Sequence, residues 1–320
     1  MVIHMTLVRI CSDRTSQTLL LAAVLLVGSA VCLRGPFPAD ARDDIYYKYH
    51  RLQWKSEADV VLIGDSRTMI GVSPGAMSDS LLGLRIRNFA FGAVGYSDQY
   101  MDAAEATLDQ ADGAKIIVMG ITPRSLRRVA TRDNQFIRSV NSMSRYNYWK
   151  AGWSGVFHHY WRPWRADEAR DAAANPITAP RHHLDGWVEP LPFNVNPAVS
   201  LRHYEEICRD GIDREIVDGL LARVRDWSKC GIRVYAFRPP TCEEMVALET
   251  DFAESSFANA FEDAGGRWLT PSNEGLKTYD ASHLDLPSTL LLSRRLAHVI
   301  SFSEKSMAHQ SRPLTDSVTQ

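Results

Sequence analysis

Cysteine is scarce: five residues in a chain of 320, with no Cys-x-x-Cys pair among them. That excludes a disulfide-dense scaffold, a zinc ribbon and a thioredoxin-like motif. Cys11 and Cys32 precede the body, and at most two of Cys208, Cys230 and Cys242 can pair, so cysteine usage leaves the redox compartment open. A basic excess is missing too. With 36 Lys and Arg against 38 Asp and Glu, the net charge is −2, which argues against a general nucleic-acid binder. No internal repeat is visible. Apolar residues at 45% and charged residues at 23% are globular proportions and exclude a disordered chain.

Charge is also absent from one stretch near the start. Arg14 and Arg34 bracket 19 uncharged residues, nearly all apolar over 19–33. As a helix these would span roughly 28 Å, close to a hydrocarbon core of about 30 Å. The segment 15–34 reads as a transmembrane signal anchor behind a flank at 1–14. A cleaved signal peptide competes, with Gly28, Ser29 and Ala30 as a poor cleavage site. A buried core helix is the weaker reading, because nothing in the run is polar enough to face water. Arg9 and Arg14 before it, and Arg34, Arg42 and Lys48 after it, leave the positive-inside count undecided. Gly35-Pro36-Phe37-Pro38 then ends any helix and opens a linker over 35–55.

From residue 56 strand-like and helix-like runs alternate. Short apolar runs at 58–64, 84–91, 114–120, 232–237 and 267–269 read as strands. Helical spacing follows at 97–109, 212–228, 243–264 and 286–300, with Ile216, Leu220, Val224 and Trp227 on one face of the second. The alternation implies a parallel sheet covered on both faces, with chemistry at the carboxyl ends of its strands. The body runs over 56–305, and 306–320 reads as a loose tail.

An insertion at 130–205 breaks the rhythm. It carries Trp149, Trp153, Trp161, Trp164 and Trp187, the histidines His158, His159, His182, His183 and His203, and six prolines. It is either a carbohydrate-binding rim of aromatic faces or a self-packed unit whose tryptophans form their own small core. The paired histidines lack an acidic partner at i+3 or i+4, so no metal site is expected, and no cofactor motif is present.

Three short segments carry the chemistry. Gly64-Asp65-Ser66-Arg67 follows the first strand, where a serine exposes its Oγ above the sheet edge; the same residues also make a helix cap. Asp280-Ala281-Ser282-His283 precedes the last helix and could supply a base with its orienting carboxylate, or simply cap that helix. Gly92 and Gly95 follow the second strand, where a backbone N–H can approach a developing oxyanion or merely make a turn.

In this order, at the ends of successive strands, the three segments resemble the blocks of the SGNH/GDSL hydrolase superfamily. The resemblance covers roughly 56–302 without the insertion. It implies a flavodoxin-like three-layer α/β/α fold with a five-stranded parallel sheet, plus the N-terminal membrane helix. It also implies Ser66 as nucleophile, His283 as base, Asp280 as its orienting acid, and Gly92 or Gly95 as oxyanion donor. The anchor, the Gly-Asp-Ser-Arg-Thr start and Thr122-Pro123-Arg124-Ser125 make the chain similar to membrane-anchored SGNH-like bacterial envelope proteins that serve in polysaccharide O-acylation. That implies an esterase or acyltransferase with its soluble domain in the periplasm or outside the cell. Its partners would be a polysaccharide or acyl-ester substrate and a membrane acyltransferase, with no nucleic acid. A non-catalytic glycan-binding module is the alternative. One position departs from the pattern: Thr122 stands where the family carries an oxyanion-donating Asn. Loss of such a donor costs roughly 10²–10³ in rate, about 2.7–4 kcal/mol. The Thr122 hydroxyl, Arg67 or Arg124 are the candidates to replace it.

Overall fold

The computed structural model describes residues 14–34, 44–161 except 82, 110 and 112, and 180–310 except 192–194. These fall into two compact units. One holds the helices Arg14–Arg34 and Arg145–Trp161; the other runs from Tyr47 to Met143 and from Ile177 onward.

In the larger unit five strands form one parallel sheet: β1 (Val60–Gly64), β2 (Ile86–Asn88), β3 (Ile116–Gly120), β4 (Arg233–Phe237) and β5 (Arg267–Trp268), in the order β2-β1-β3-β4-β5. Register is direct, with Val60 beside Ile116 and Gly64 beside Gly120, then Ile116 beside Arg233 and Gly120 beside Phe237. Successive side chains point to opposite faces of a strand, and here both faces are apolar. Val61, Ile63, Ile117, Met119, Val234 and Ala236 enter one core with Tyr100, Leu220, Val224, Trp227, Phe257 and Phe261 from the helices Asp98–Glu105, Arg214–Lys229 and Glu254–Asp263. Val60, Leu62, Ile116, Val118, Tyr235 and Phe237 enter the other, against Met77 of Pro74–Ser78 and Leu292, Leu296 and Ile300 of Leu286–Gln310. Each fully buried large side chain contributes about 1.5–3 kcal/mol of transfer free energy. A continuous apolar strand is therefore stable only with helices on both sides, and the result is a three-layer α/β/α arrangement.

Several boundaries differ from the sequence expectation. The expected helix over 243–264 is two helices, Glu243–Leu248 and Glu254–Asp263. The break falls at Glu249, whose carboxylate turns into the core to meet two arginines. The expected linker contains the helix Asp44–Arg51; Arg51 is buried, donates to the Ala90 carbonyl oxygen and lies 4.1 Å over the Phe91 ring. The last helix continues to Gln310, into the stretch read as a loose tail. Among the described residues of the insertion, helices form at Gln135–Ser142, Arg145–Trp161 and Pro197–Cys208.

In the smaller unit the apolar run forms a 21-residue helix, Arg14–Arg34, which packs on Arg145–Trp161. Leu19, Leu20, Leu21, Val24 and Leu25 on it are exposed. Among the described residues no helix is long and apolar enough to cross a membrane.

Candidate active site

The chain steps from β1 outward to β2, then back across to β3 and β4, so its direction along the sheet reverses between β1 and β3. Such a reversal leaves a crevice at the carboxyl ends of the strands. Gly64 ends β1 with φ +146°, a conformation that disfavours any side chain. A Cβ there would meet Thr68 Oγ1 at 2.4 Å, and one on Gly120 would meet the same oxygen at 1.8 Å. Two strand-end glycines thus let the short helix Ser66–Gly71 sit directly on the sheet. Asp65 caps that helix, accepting from the Arg67 N–H at 2.9 Å. Asn88 secures its other end, donating to the carbonyl oxygens of Thr68 (3.1 Å) and Val72 (2.8 Å).

The structure brings Ser66, His283 and Asp280 together. Ser66 Oγ lies 2.8 Å from His283 Nε2, and His283 Nδ1 lies 2.7 Å from Asp280 Oδ2. The other Asp280 oxygen, Oδ1, accepts from the backbone N–H groups of Ser282 (2.9 Å) and His283 (2.7 Å). Burial pushes the Asp280 carboxyl up, but the His283 hydrogen bond and charge and those two N–H groups outweigh it, so its pKa lies below the ordinary value. Asp280 is 8% exposed, while Ser66 and His283 are partly open to solvent. The Tyr279 ring stacks on His283 at 5.9 Å, and burial, then Asp280, raise its hydroxyl pKa, so it stays neutral.

The expected oxyanion donors are placed differently. The Gly95 N–H is buried and donates to the Ala130 carbonyl oxygen at 2.8 Å; the glycine is there because a Cβ would meet Ser125 O at 2.8 Å and Ala130 at 3.0 Å. The Gly92 N–H donates to the side-chain Oε1 of Gln135 at 2.7 Å. The Thr122 hydroxyl, fully buried, donates to Asp65 Oδ2 at 2.7 Å, across the crevice between β1 and β3. Its one proton is committed to that carboxylate, so Thr122 fastens the Asp65 turn and has no proton to offer an oxyanion in this arrangement. Thr122→Val should remove a hydrogen bond to a buried carboxylate and cost about 1.5–3 kcal/mol, read as a lowered melting midpoint. Unchanged stability would mean that Asp65 finds another donor.

Sequence reasoning missed a second buried layer. The Arg67 guanidinium, with 1% of its side chain exposed, is paired with Glu249 at 2.7 Å. Its Nε–H donates to Ser282 Oγ at 3.1 Å, and the Ser282 hydroxyl donates to the Tyr204 oxygen at 3.1 Å. Glu249 is shared with Arg238 at 2.9 Å, which also reaches Glu254 at 3.0 Å. Burial works against the Arg67 charge, but Tyr204, Glu249 and Asp65 together raise its pKa. Arg67 faces this cluster, not the Ser66–His283 gap. Next to the layer, at the ends of β4 and β5, a cleft of about 310 Å³ is lined by Arg238, Pro239, Thr241, Leu269, Thr270 and Asn273. The following residue, Cys242, donates its N–H to the Ala281 oxygen at 3.1 Å, so the cleft borders the Asp280–His283 loop.

The tryptophans of the insertion serve different ends. Trp187 is 7% exposed and donates to the Ile70 carbonyl oxygen at 2.9 Å, tying its segment to the Ser66 helix. Trp149 and Trp153 are exposed on the helix of the smaller unit. The side chains of His158, His159 and Trp161, and the whole of Trp164, lie outside the described residues. His182 stacks on Tyr47 and His183 on Trp187. Among the described residues no group of three His, Cys, Asp or Glu side chains gathers as a metal site would require. Comparison with protein-family models, with curated proteins and with solved structures finds no match to this chain.

Proposed function

We propose that the chain is an SGNH-type serine acyl-transfer enzyme, an esterase or O-acyltransferase acting on a cell-envelope polysaccharide. The observation that carries this is the pair of contacts at 2.8 and 2.7 Å that joins Ser66, His283 and Asp280. In this reading Ser66 Oγ attacks an ester carbonyl while His283 Nε2 takes its proton, and Asp280 holds the ring and balances the imidazolium. The tetrahedral adduct collapses, His283 returns the proton to the departing alcohol, and the acyl group remains on Ser66. Water or a sugar hydroxyl then gives its proton to His283 and takes the acyl group. In this reading the Ser66 N–H, at the first turn of its helix, donates to the oxyanion. Gly92 joins it only when Gln135 releases its N–H. The cleft beside the Asp280 loop offers Thr241, Thr270 and Asn273 as neutral hydrogen-bonding groups next to the Arg238–Glu254 ion pair, which suits a polyol acceptor.

A second reading is a non-catalytic glycan-binding module. It is favoured by one specific observation: the N–H groups of Gly92 and Gly95 and the Thr122 hydroxyl all have other partners. A fluorophosphonate or activated ester decides between the two, since the enzyme forms a covalent adduct on Ser66 and the module forms none.

The same proposal includes a membrane anchor, with the larger unit outside the cytoplasm. Its support is the 19 uncharged residues between Arg14 and Arg34 and the exposed leucines of that helix. A reporter fused to the C-terminus should be active only in the periplasm or outside the cell, in the membrane fraction. Recovery of a shortened soluble protein starting near Val31 would favour cleavage instead.

A further inference from the structure

The nucleophile and the acid–base pair sit on segments far apart in sequence, and a side chain must keep them in step. Besides the Ser66–His283 contact itself, one hydrogen bond among the described residues joins the Ser66 turn to the base's loop. The Arg67 Nε–H donates to Ser282 Oγ, and Ser282 lies between Asp280 and His283. The loop needs support, since Ala281 has φ +74°, a left-handed conformation that a residue with a Cβ keeps only where its surroundings impose it. Arg67 is itself fixed. Glu249 lies at 2.7 Å, the Tyr204 ring at 4.8 Å from its carbon, and the Tyr204 hydroxyl accepts from Ser282. A charge buried this completely is a costly way to fill space, whereas a planar guanidinium makes a rigid strut with directional donors.

We propose that Arg67 is a positioning residue that acts through Ser282, holding the Asp280–His283 loop so that Nε2 stays in reach of the Ser66 hydroxyl. The proposal rests on the acyl-transfer reading, and its test separates the two. The measurement is the rate of covalent labelling of Ser66 by a fluorophosphonate in the full chain, with probe affinity and labelling rate constant determined separately. Ser282→Ala removes the acceptor but leaves the backbone N–H groups on Asp280. It should slow labelling by about 10²-fold, the penalty for a displacement near 1 Å, with affinity unchanged. Ser282→Thr restores a hydroxyl and should recover most of the rate. Arg67→Lys keeps the charge and loses the fork, and should slow labelling as Ser282→Ala does. The double variant should be no slower than the slower single, because one link is broken only once. Ser282→Ala labelling at the wild-type rate, no recovery in Ser282→Thr, or effects that multiply in the double variant would each overturn the proposal while the enzyme reading stands. A wild-type chain that takes no label overturns both. If Arg67→Lys does not fold, the Ser282 pair alone decides.

Discussion

Ser66→Ala should abolish the covalent adduct with an activated ester and lower turnover by at least about 10³-fold. Loss of a nucleophile removes the whole acylation route and leaves only what binding and the oxyanion donors provide. Ligand affinity should barely move, because one hydroxyl contributes only about 0.5–1.5 kcal/mol as a net hydrogen bond. The fold should tolerate the change, since the cap of this helix comes from Asp65 and the serine is partly exposed. Mass spectrometry of the labelled chain checks the adduct, and calorimetry with an acylated polysaccharide, the substrate class proposed above, checks affinity. Turnover retained in Ser66→Ala would end the enzyme reading for this site. The acid side of the pH profile follows from Asp280. Its folded pKa is depressed, so its stabilising contribution is fully present above the ordinary carboxylate value near about 4 and shrinks as pH falls below that value. It is gone once pH has fallen through the lower folded value, which acid denaturation followed by circular dichroism measures.

The largest effect on stability should come from Glu249→Ala. Glu249 is 2% exposed and sits between Arg67 at 2.7 Å and Arg238 at 2.9 Å. Removing one partner of a buried ion pair leaves an uncompensated charge and costs about 3–5 kcal/mol. For a unit of this size that lowers the melting temperature by about 6–20 °C. Glu249→Gln preserves the shape and should recover little, because buried Arg67 loses its paired carboxylate and Arg238 keeps only Glu254. Thermal denaturation followed by circular dichroism measures it. A loss under about 1 kcal/mol would show that Asp65 and Glu254 suffice to balance Arg67 and Arg238 without Glu249.

The strands were readable because each is a run of apolar residues too short for a helix, and burial on both faces demands that composition. Ser66, Asp280 and His283 were readable because their chemistry needs particular residue types close together: a serine after a strand, a carboxylate and an imidazole three apart. The buried arginine layer was hidden for the opposite reason. Glu249 fits the helical spacing of 243–264 as an ordinary surface acid, and only the tertiary fold reveals that it breaks the helix to reach Arg67. That the N–H groups of Gly92 and Gly95 are engaged was not legible, because their partners, Gln135 and Ala130, come from the insertion. Thr122 was legible as a polar residue just after the third strand, but its direction toward Asp65 depends on how β1 and β3 lie side by side.

Asp280 and His283 belong to one tight hairpin, closed by the antiparallel bridge of Thr278 with Leu284 and by the Tyr279 N–H to the His283 oxygen at 2.9 Å. Bringing Ser66, His283 and Asp280 together therefore requires a single long-range chain closure, not two. The entropy of bringing acid and base together is spent locally, within a loop whose closure cost is small and nearly independent of the rest of the chain. A peptide containing this hairpin would already carry the carboxylate–imidazole contact in part of its ensemble. Strain or mutation elsewhere in the sheet would widen one gap, from Nε2 to Ser66, and leave the imidazole oriented. Damage to activity should accordingly arrive gradually with distance at that one joint, and a distant variant with weakened turnover should still present an intact His283–Asp280 pair.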